Sequence, residues 1–451
     1  MLKNIRRVLF VFLLIFFVDG CKTQIQTRHT QDVNNSQLLP SIKKKYIPKK
    51  VEIPTLVVIM NWDNYSENDP KIWHDKIFDT AQNSVNRWYR DNTFGEIAFV
   101  PIQESQGTPN DGVVTVAMHK AHPGGGNDYT FRDTEIKNAI TNAAVVDNVD
   151  FTQYDRNHDG FLSAKELQFI FIVAGGEESY GDPQDHSIWA HSWSFASNSS
   201  LEVDGLYVMK HTADANTSGT YARFGANHGR HKATIGIMCH ELGHAAFNLK
   251  DYYDDGGGSG LGWYDIMSGG SWAFTPSDEY AGETPTQYTA FNKIDAKLDV
   301  NVSVVNNDSA TYTIGCSGRD FIKLKTTKEN EFFLIECRDS AKPDSDKSFS
   351  SLDFSDNRLF SVVYHVDTDR ENNNEDGVQT QGNHYMVALV EKDKSSLMTS
   401  SEDIRADVSD VYSVGDTIEN VKMYDGSDTG YKIEITNADY TNREMTIRVS
   451  Q

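Results

Sequence analysis

The chain has 451 residues, enough for two or three domains with cores of their own. Lys and Arg number 42 against 65 Asp and Glu, a formal net charge of -23. This balance argues against nucleic acid as the main partner, because attraction to phosphate needs the opposite sign. It suits a soluble extracellular protein, or one that holds calcium, and equally a surface that is merely well solvated.

Residues 1–21 read as an export signal. Lys3, Arg6 and Arg7 precede an apolar run from Val8 to Val18, which is short for a membrane span. Val18-Asp-Gly-Cys21 ends it in the manner of a lipobox, with Cys21 as the lipidated residue; Asp19 departs from the usual small or apolar residue, and an ordinary signal peptide is the alternative. Residues 22–50 are polar and basic without periodicity, a flexible tether, or else a short propeptide.

Order begins at Val51–Met60, an apolar, β-branched run predicted to be an interior strand. A helix is expected over Asp69–Tyr89, then strands at Ile97–Pro101 and Val113–Met118, and a second helix over Arg132–Val146. His119 and His122 lie in a loop and are weak metal candidates.

Asp155-Arg-Asn157-His-Asp159-Gly160-Phe161-Leu-Ser163-Ala-Lys-Glu166 matches the twelve-residue calcium loop at each defining place. Asp155, Asn157 and Asp159 offer side-chain oxygens, Phe161 its carbonyl and Glu166 both carboxylate oxygens. Gly160 permits the sharp turn. The apolar run Leu167–Val173 follows as a strand, not a helix, so the loop reads as a structural calcium clip. An acidic turn without an ion is the alternative.

A strand over Leu201–His211 leads to the stretch that carries the chemistry, His240-Glu241-Leu-Gly-His244. On a helix, residues four apart share a face, so both imidazoles reach one zinc ion. A catalytic zinc needs a further protein ligand and an open position for water. Glu241 stands where a general base would take a proton from that water. Past His244 the chain must turn back, and Asn248 tolerates the positive φ of such a turn. Asp251 is then the favoured third ligand and Asp254 the fallback, while Lys250 excludes a third histidine at its position. Cys239 points about 100° away from His240 around the helix and reads as a small buried hydrophobe.

From about residue 299 strand patterns joined by polar turns replace the mixed pattern, which suggests a β-sandwich-like domain over 299–451 after an α/β domain over 51–298. Cys316 and Cys337 are candidates for a disulfide in an oxidising compartment.

His240-Glu-Leu-Gly-His-Ala-Ala-Phe-Asn-Leu-Lys-Asp-Tyr-Tyr-Asp254 resembles the zinc segment of the immune inhibitor A family of bacterial secreted metallopeptidases. Asn248 stands where that family usually has glycine, and Lys250 where proline is common. Asp265-Ile-Met267-Ser-Gly269 is similar to the family's methionine turn, an apolar floor under the metal. Arg90–Gly95, Ile188–Trp193, Phe333–Arg338 and Val363–Asp367 extend the likeness along residues 51–451. His365 and Asp367 offer a second metal site or, more simply, support a β edge.

The resemblance implies a zincin-like domain with a twisted sheet, zinc on His240, His244 and Asp251, and Glu241 as base. The expected activity is endopeptidase cleavage of extracellular proteins or peptides, with membrane contact only through a lipid anchor. Two rivals stand beside it: a non-catalytic binding protein on the same scaffold, disfavoured because a scaffold has no use for Glu241, and a peptidase specialised for glycoproteins.

Overall fold

The computed structural model describes residues 50–451, apart from 125–133, 184–185, 197–198, 215–216, 255–258, 307, 342–343, 352–357, 372, 374–383, 393–408 and 420. The expected signal peptide, Cys21 and nearly all of the tether lie outside the described residues. Pro48–Gln451 form one compact unit. Among the described residues no helix is long and apolar enough to cross a membrane.

Eleven strands build the part that precedes residue 299: β1 (Val51–Asn61), β2 (Ile97–Pro101), β3 (Val113–Ala117), β4 (Phe161–Leu162), β5 (Gln168–Glu177), β6 (Ser187–Ile188), β7 (His191–Trp193), β8 (Leu201–Val203), β9 (Leu206–Val208), β10 (Tyr221–His228) and β11 (His231–Lys232). The main sheet runs β11-β10-β5-β1-β2, with β3 also on β1, β6 on β5 and β7 on β10. Its centre is parallel, while β7 and β11 are antiparallel to β10. Parallel strands buried on both faces need apolar residues at every position. In β1, Ile53, Val57 and Ile59 enter one core and Leu56, Val58 and Met60 the other. The result is a mixed α/β architecture.

The helix expected over 69–89 is two helices, α1 (Pro70–Phe78) and α2 (Val85–Asn92). Asp79 turns its carboxylate onto the Thr80 and Ala81 N–H groups, Asn83 takes φ 61°, and Ser84 caps α2 through the Arg87 N–H. Local side-chain bonds thus outcompete the helical pattern. In the same way Asn142 caps α4 (Ala143–Val146) and separates it from α3 (Ile136–Ile140). The strand expected over 201–211 is the β8–β9 hairpin, turned at Asp204-Gly205, where both φ angles are positive.

Helix α5 (Ile235–Phe247) is buried on nearly all sides. The Thr234 side chain donates to Ala281 O instead of capping the helix, and its N–H is accepted by His228 Nδ1 at 3.3 Å. That role requires a neutral ring. Burial, with His231 beside it, holds the His228 pKa down to about 3. The folded state therefore binds fewer protons than the unfolded one between pH 6.5 and 3, and stability present above that window is lost as pH falls through it. His228→Gln should flatten this slope, worth roughly 3–5 kcal/mol at its acid end. Unfolding free energy measured from pH 7 to 4 checks it; parallel curves for the two proteins would contradict it.

After α6 (Ala290–Asp295), two sheets follow. Their strands are β12 (Asn301–Val305), β13 (Ala310–Gly315), β14 (Asp320–Lys325), β15 (Glu331–Asp339), β16 (Leu359–Asp367), β17 (Val387–Leu389), β18 (Thr417–Ile418), β19 (Lys432–Asp439) and β20 (Glu444–Ser450). One sheet runs β12-β14-β15-β16-β17 and the other β13-β20-β19-β18. Phe333 and Ile335 of β15 meet Ile433, Ile447 and Val449 in a shared core. The alternate residues Phe332 and Leu334 point the other way, into the core that also holds α5. Cys316 and Cys337 form a disulfide, and Cys239 is a buried free thiol.

Candidate metal centre

Helix α5 places His240 and His244 one turn apart, and its end decides where the third ligand falls. Asn248 adopts φ 57°, ψ 31°, and its N–H and that of Leu249 return to the helix carbonyls of His244 and Gly243. This left-handed cap reverses the chain. Leu249 O then accepts His244 Nδ1–H at 2.6 Å, and Asp251 arrives facing both histidines.

His240 Nε2, His244 Nε2 and Asp251 Oδ1 stand 3.0–3.1 Å from one another. His240 Nδ1 donates to Ile266 O at 2.8 Å, so in their neutral form both rings carry the proton on Nδ1 and present Nε2 as a lone pair. The contact between the two Nε2 atoms is then no hydrogen bond, and buried Asp251 Oδ1 makes none either. Three acceptors aimed at one point call for a cation. Zinc bonds of about 2.0–2.2 Å fit a position just above that triangle, and two imidazoles with a carboxylate are zinc donors. Burial opposes charge on His240, but Asp251 and Glu241 outweigh it and raise its pKa to about 9; His244 and His240 hold the Asp251 carboxyl far below its usual range against desolvation.

Among the described residues this is the only group of three or more His, Cys, Asp or Glu side chains with ligand atoms so close together. Asp254 stands apart, with Tyr385 OH donating to its carboxylate. Glu241 is buried beside the site, where desolvation raises its pKa against the pull of His240 and His244. The cleft above is lined by Trp189, His191, Trp193, Thr220, Lys250 and Tyr253. Both tryptophans are exposed, and β7 forms this wall.

Met267 lies under the helix. A Cβ on Gly243 would come within 2.6 Å of its Sδ, so only glycine lets α5 settle this closely. Asp265 shapes the turn: its buried carboxylate accepts Met267 N–H (2.6 Å), Thr289 N–H (2.8 Å) and Asn292 Nδ2–H (2.8 Å). Met267 O in turn accepts Tyr252 N–H at 2.7 Å, which ties the floor to the ligand loop.

The late strands support the same loop. Asn373 is bonded to Val387 N and O, and donates at 3.4 Å to the carbonyls of Asp251 and Tyr252. Arg338, fully buried, forms two bonds to Asp346 and one to Glu336, and also grips Tyr264 O at 3.0 Å. Sequence spacing gives no sign of either residue's reach to the site, because the carbonyls they hold there, of Tyr264, Tyr252 and Asp251, lie 74–122 positions away.

The remaining candidates sit elsewhere. In the loop 155–166, Asp155 accepts the Asp159 and Gly160 N–H groups, and Glu166 those of Arg156 and Ser163. Asn157 Oδ1 and Asp159 Oδ1 accept the Asp159 and Phe161 N–H groups, and Gly160 takes φ 82° as the turn requires. These oxygens accept the loop's own N–H groups, and among the described residues Asp155, Asp159 and Glu166 do not form a group with ligand atoms as close together as those of His240, His244 and Asp251. His119 and His122 join no such group. His365 pairs with Glu331 at 2.9 Å and Asp367 with His384 at 2.8 Å, with Tyr424 stacked on both imidazoles.

Residues 116–298 match the family model described as immune inhibitor A peptidase M6, catalytic domain. The matched segment contains His240, Glu241, His244, Asp251 and Met267. No curated protein matches the chain.

Proposed function

Since residues 116–298 belong to the immune inhibitor A peptidase family and make this a metallopeptidase, we propose that it is a zinc endopeptidase acting on proteins outside the cell. The convergence of His240 Nε2, His244 Nε2 and Asp251 Oδ1 beside buried Glu241 carries the reading. When bound there, zinc supplies Lewis acidity toward the scissile carbonyl and toward water.

The chain's own residues do the rest. Glu241 takes the proton of the attacking water and returns it to the leaving amine. Ile266 O and Leu249 O fix the imidazole tautomers, so both Nε2 lone pairs stay available. The β7 wall orients an extended substrate, and Trp189 and Trp193 offer apolar contact to its side chains. We read the domain as zincin-like, with a β-sandwich-like region after residue 299, and the loop Asp155–Glu166 as a structural calcium site. Export with a lipid on Cys21 would place the cleft outside the cell.

A mixture of proteome-derived peptides tests this. The zinc-loaded protein should generate new termini that vanish with a zinc chelator; no new termini would refute the endopeptidase reading.

A further inference from the structure

Strand β5 ends in a carboxylate that the chemistry above does not use. Glu177 is fully buried. Its Oε1 accepts Ala190 N–H at 2.9 Å, Ser179 N–H at 3.3 Å and the Ser179 hydroxyl at 3.1 Å; its Oε2 accepts Gly225 N–H at 2.9 Å. One side chain therefore ties together the turn after β5, the connection between β6 and β7, and β10.

The place of each donor is informative. At Gly225 the register of β10 against β5 shifts, so its N–H needs an acceptor outside the regular ladder. Ala190 lies between Trp189 and His191, which line the cleft, and leads directly into β7. Arg223 of β10, mostly buried, reaches Trp189 O at 3.4 Å from the other side. The backbone of Ser192, two residues beyond Ala190, faces the Glu241 carboxylate.

We infer that Glu177 is a positioning residue: its carboxylate holds Trp189–Trp193, the cleft wall, at a fixed place relative to Glu241 and the metal ligands. The inference rests on the peptidase reading. Burial raises the Glu177 pKa to about 7; its ionised form is specific to a carboxylate, because two oxygens without protons satisfy donors on both sides at once. Glutamine has the same shape but one acceptor atom, so its NH2 would confront either Ala190 N–H or Gly225 N–H. The wall would relax while the metal site, held by α5 and the methionine turn, stays intact.

The test compares Glu177→Gln with wild type in peptide hydrolysis, zinc affinity and amide hydrogen exchange across residues 189–193. KM is expected to rise about 10-fold, the equivalent of one charge-assisted hydrogen bond, with kcat and zinc affinity little changed and exchange faster. Glu177→Asp keeps the charge but withdraws it by one methylene; it replaces the glutamine variant if that fails to fold, with the same KM-selective defect expected. Wild-type KM together with wild-type exchange in a folded variant would overturn the inference. So would loss of zinc affinity in parallel with activity, which marks a general structural role. If wild type hydrolyses no peptide, the peptidase reading fails, and exchange across 189–193 still decides the positioning role.

Discussion

Glu241→Gln is expected to lower kcat/KM for peptide hydrolysis by roughly 10²–10⁴, the usual contribution of a positioned general base. Glutamine fills the same buried space but cannot take a proton. Zinc affinity should change little, because the ligand atoms belong to His240, His244 and Asp251. Most of the loss should appear in kcat, since the proton is moved only in the transition state. Steady-state kinetics beside a zinc assay on the same preparation separate the two effects. Glu241→Gln with wild-type kcat would remove it from the mechanism.

Asp251→Ala is expected to abolish zinc binding at concentrations that saturate wild type. Losing a residue that merely orients a ligand costs roughly 10–100-fold in metal affinity, and losing the ligand should cost more. Asp254 offers no substitute, because its carboxylate is held by Tyr385. The loop itself should survive, anchored by Tyr252 N–H on Met267 O and by the bonds of Asn373. Competition with a chromogenic chelator measures the effect, and circular dichroism confirms the fold. Unchanged affinity would move the third ligand elsewhere.

The centre of this site is legible in the sequence because its geometry is local. Two histidines four residues apart share a helix face, and an Asn at 248 marks a left-handed cap; those two facts bring Asp251 back to the histidines three residues later. Continuous apolar, β-branched runs likewise give β1 and β5 as interior strands. Helix boundaries fail where side chains rebind the backbone, as at Asp79 and Asn142. At Asp155–Glu166 the spacing specifies which oxygens are available, and the structure adds that they accept the loop's own N–H groups, which spacing alone does not reveal. Long-range partners are invisible altogether. The bond of Glu177 to Gly225, of Arg338 to Tyr264 and of Asn373 to Tyr252 each joins segments that no periodicity relates.

The most direct test of a zinc peptidase built on His240, His244 and Asp251 is to strip the protein of metal and add zinc back while following cleavage of a denatured protein. Cleavage should stop on stripping, return in proportion to bound zinc and level off at one ion per chain. Cleavage that survives metal removal, or a chain that binds one zinc ion and cleaves nothing, would contradict it.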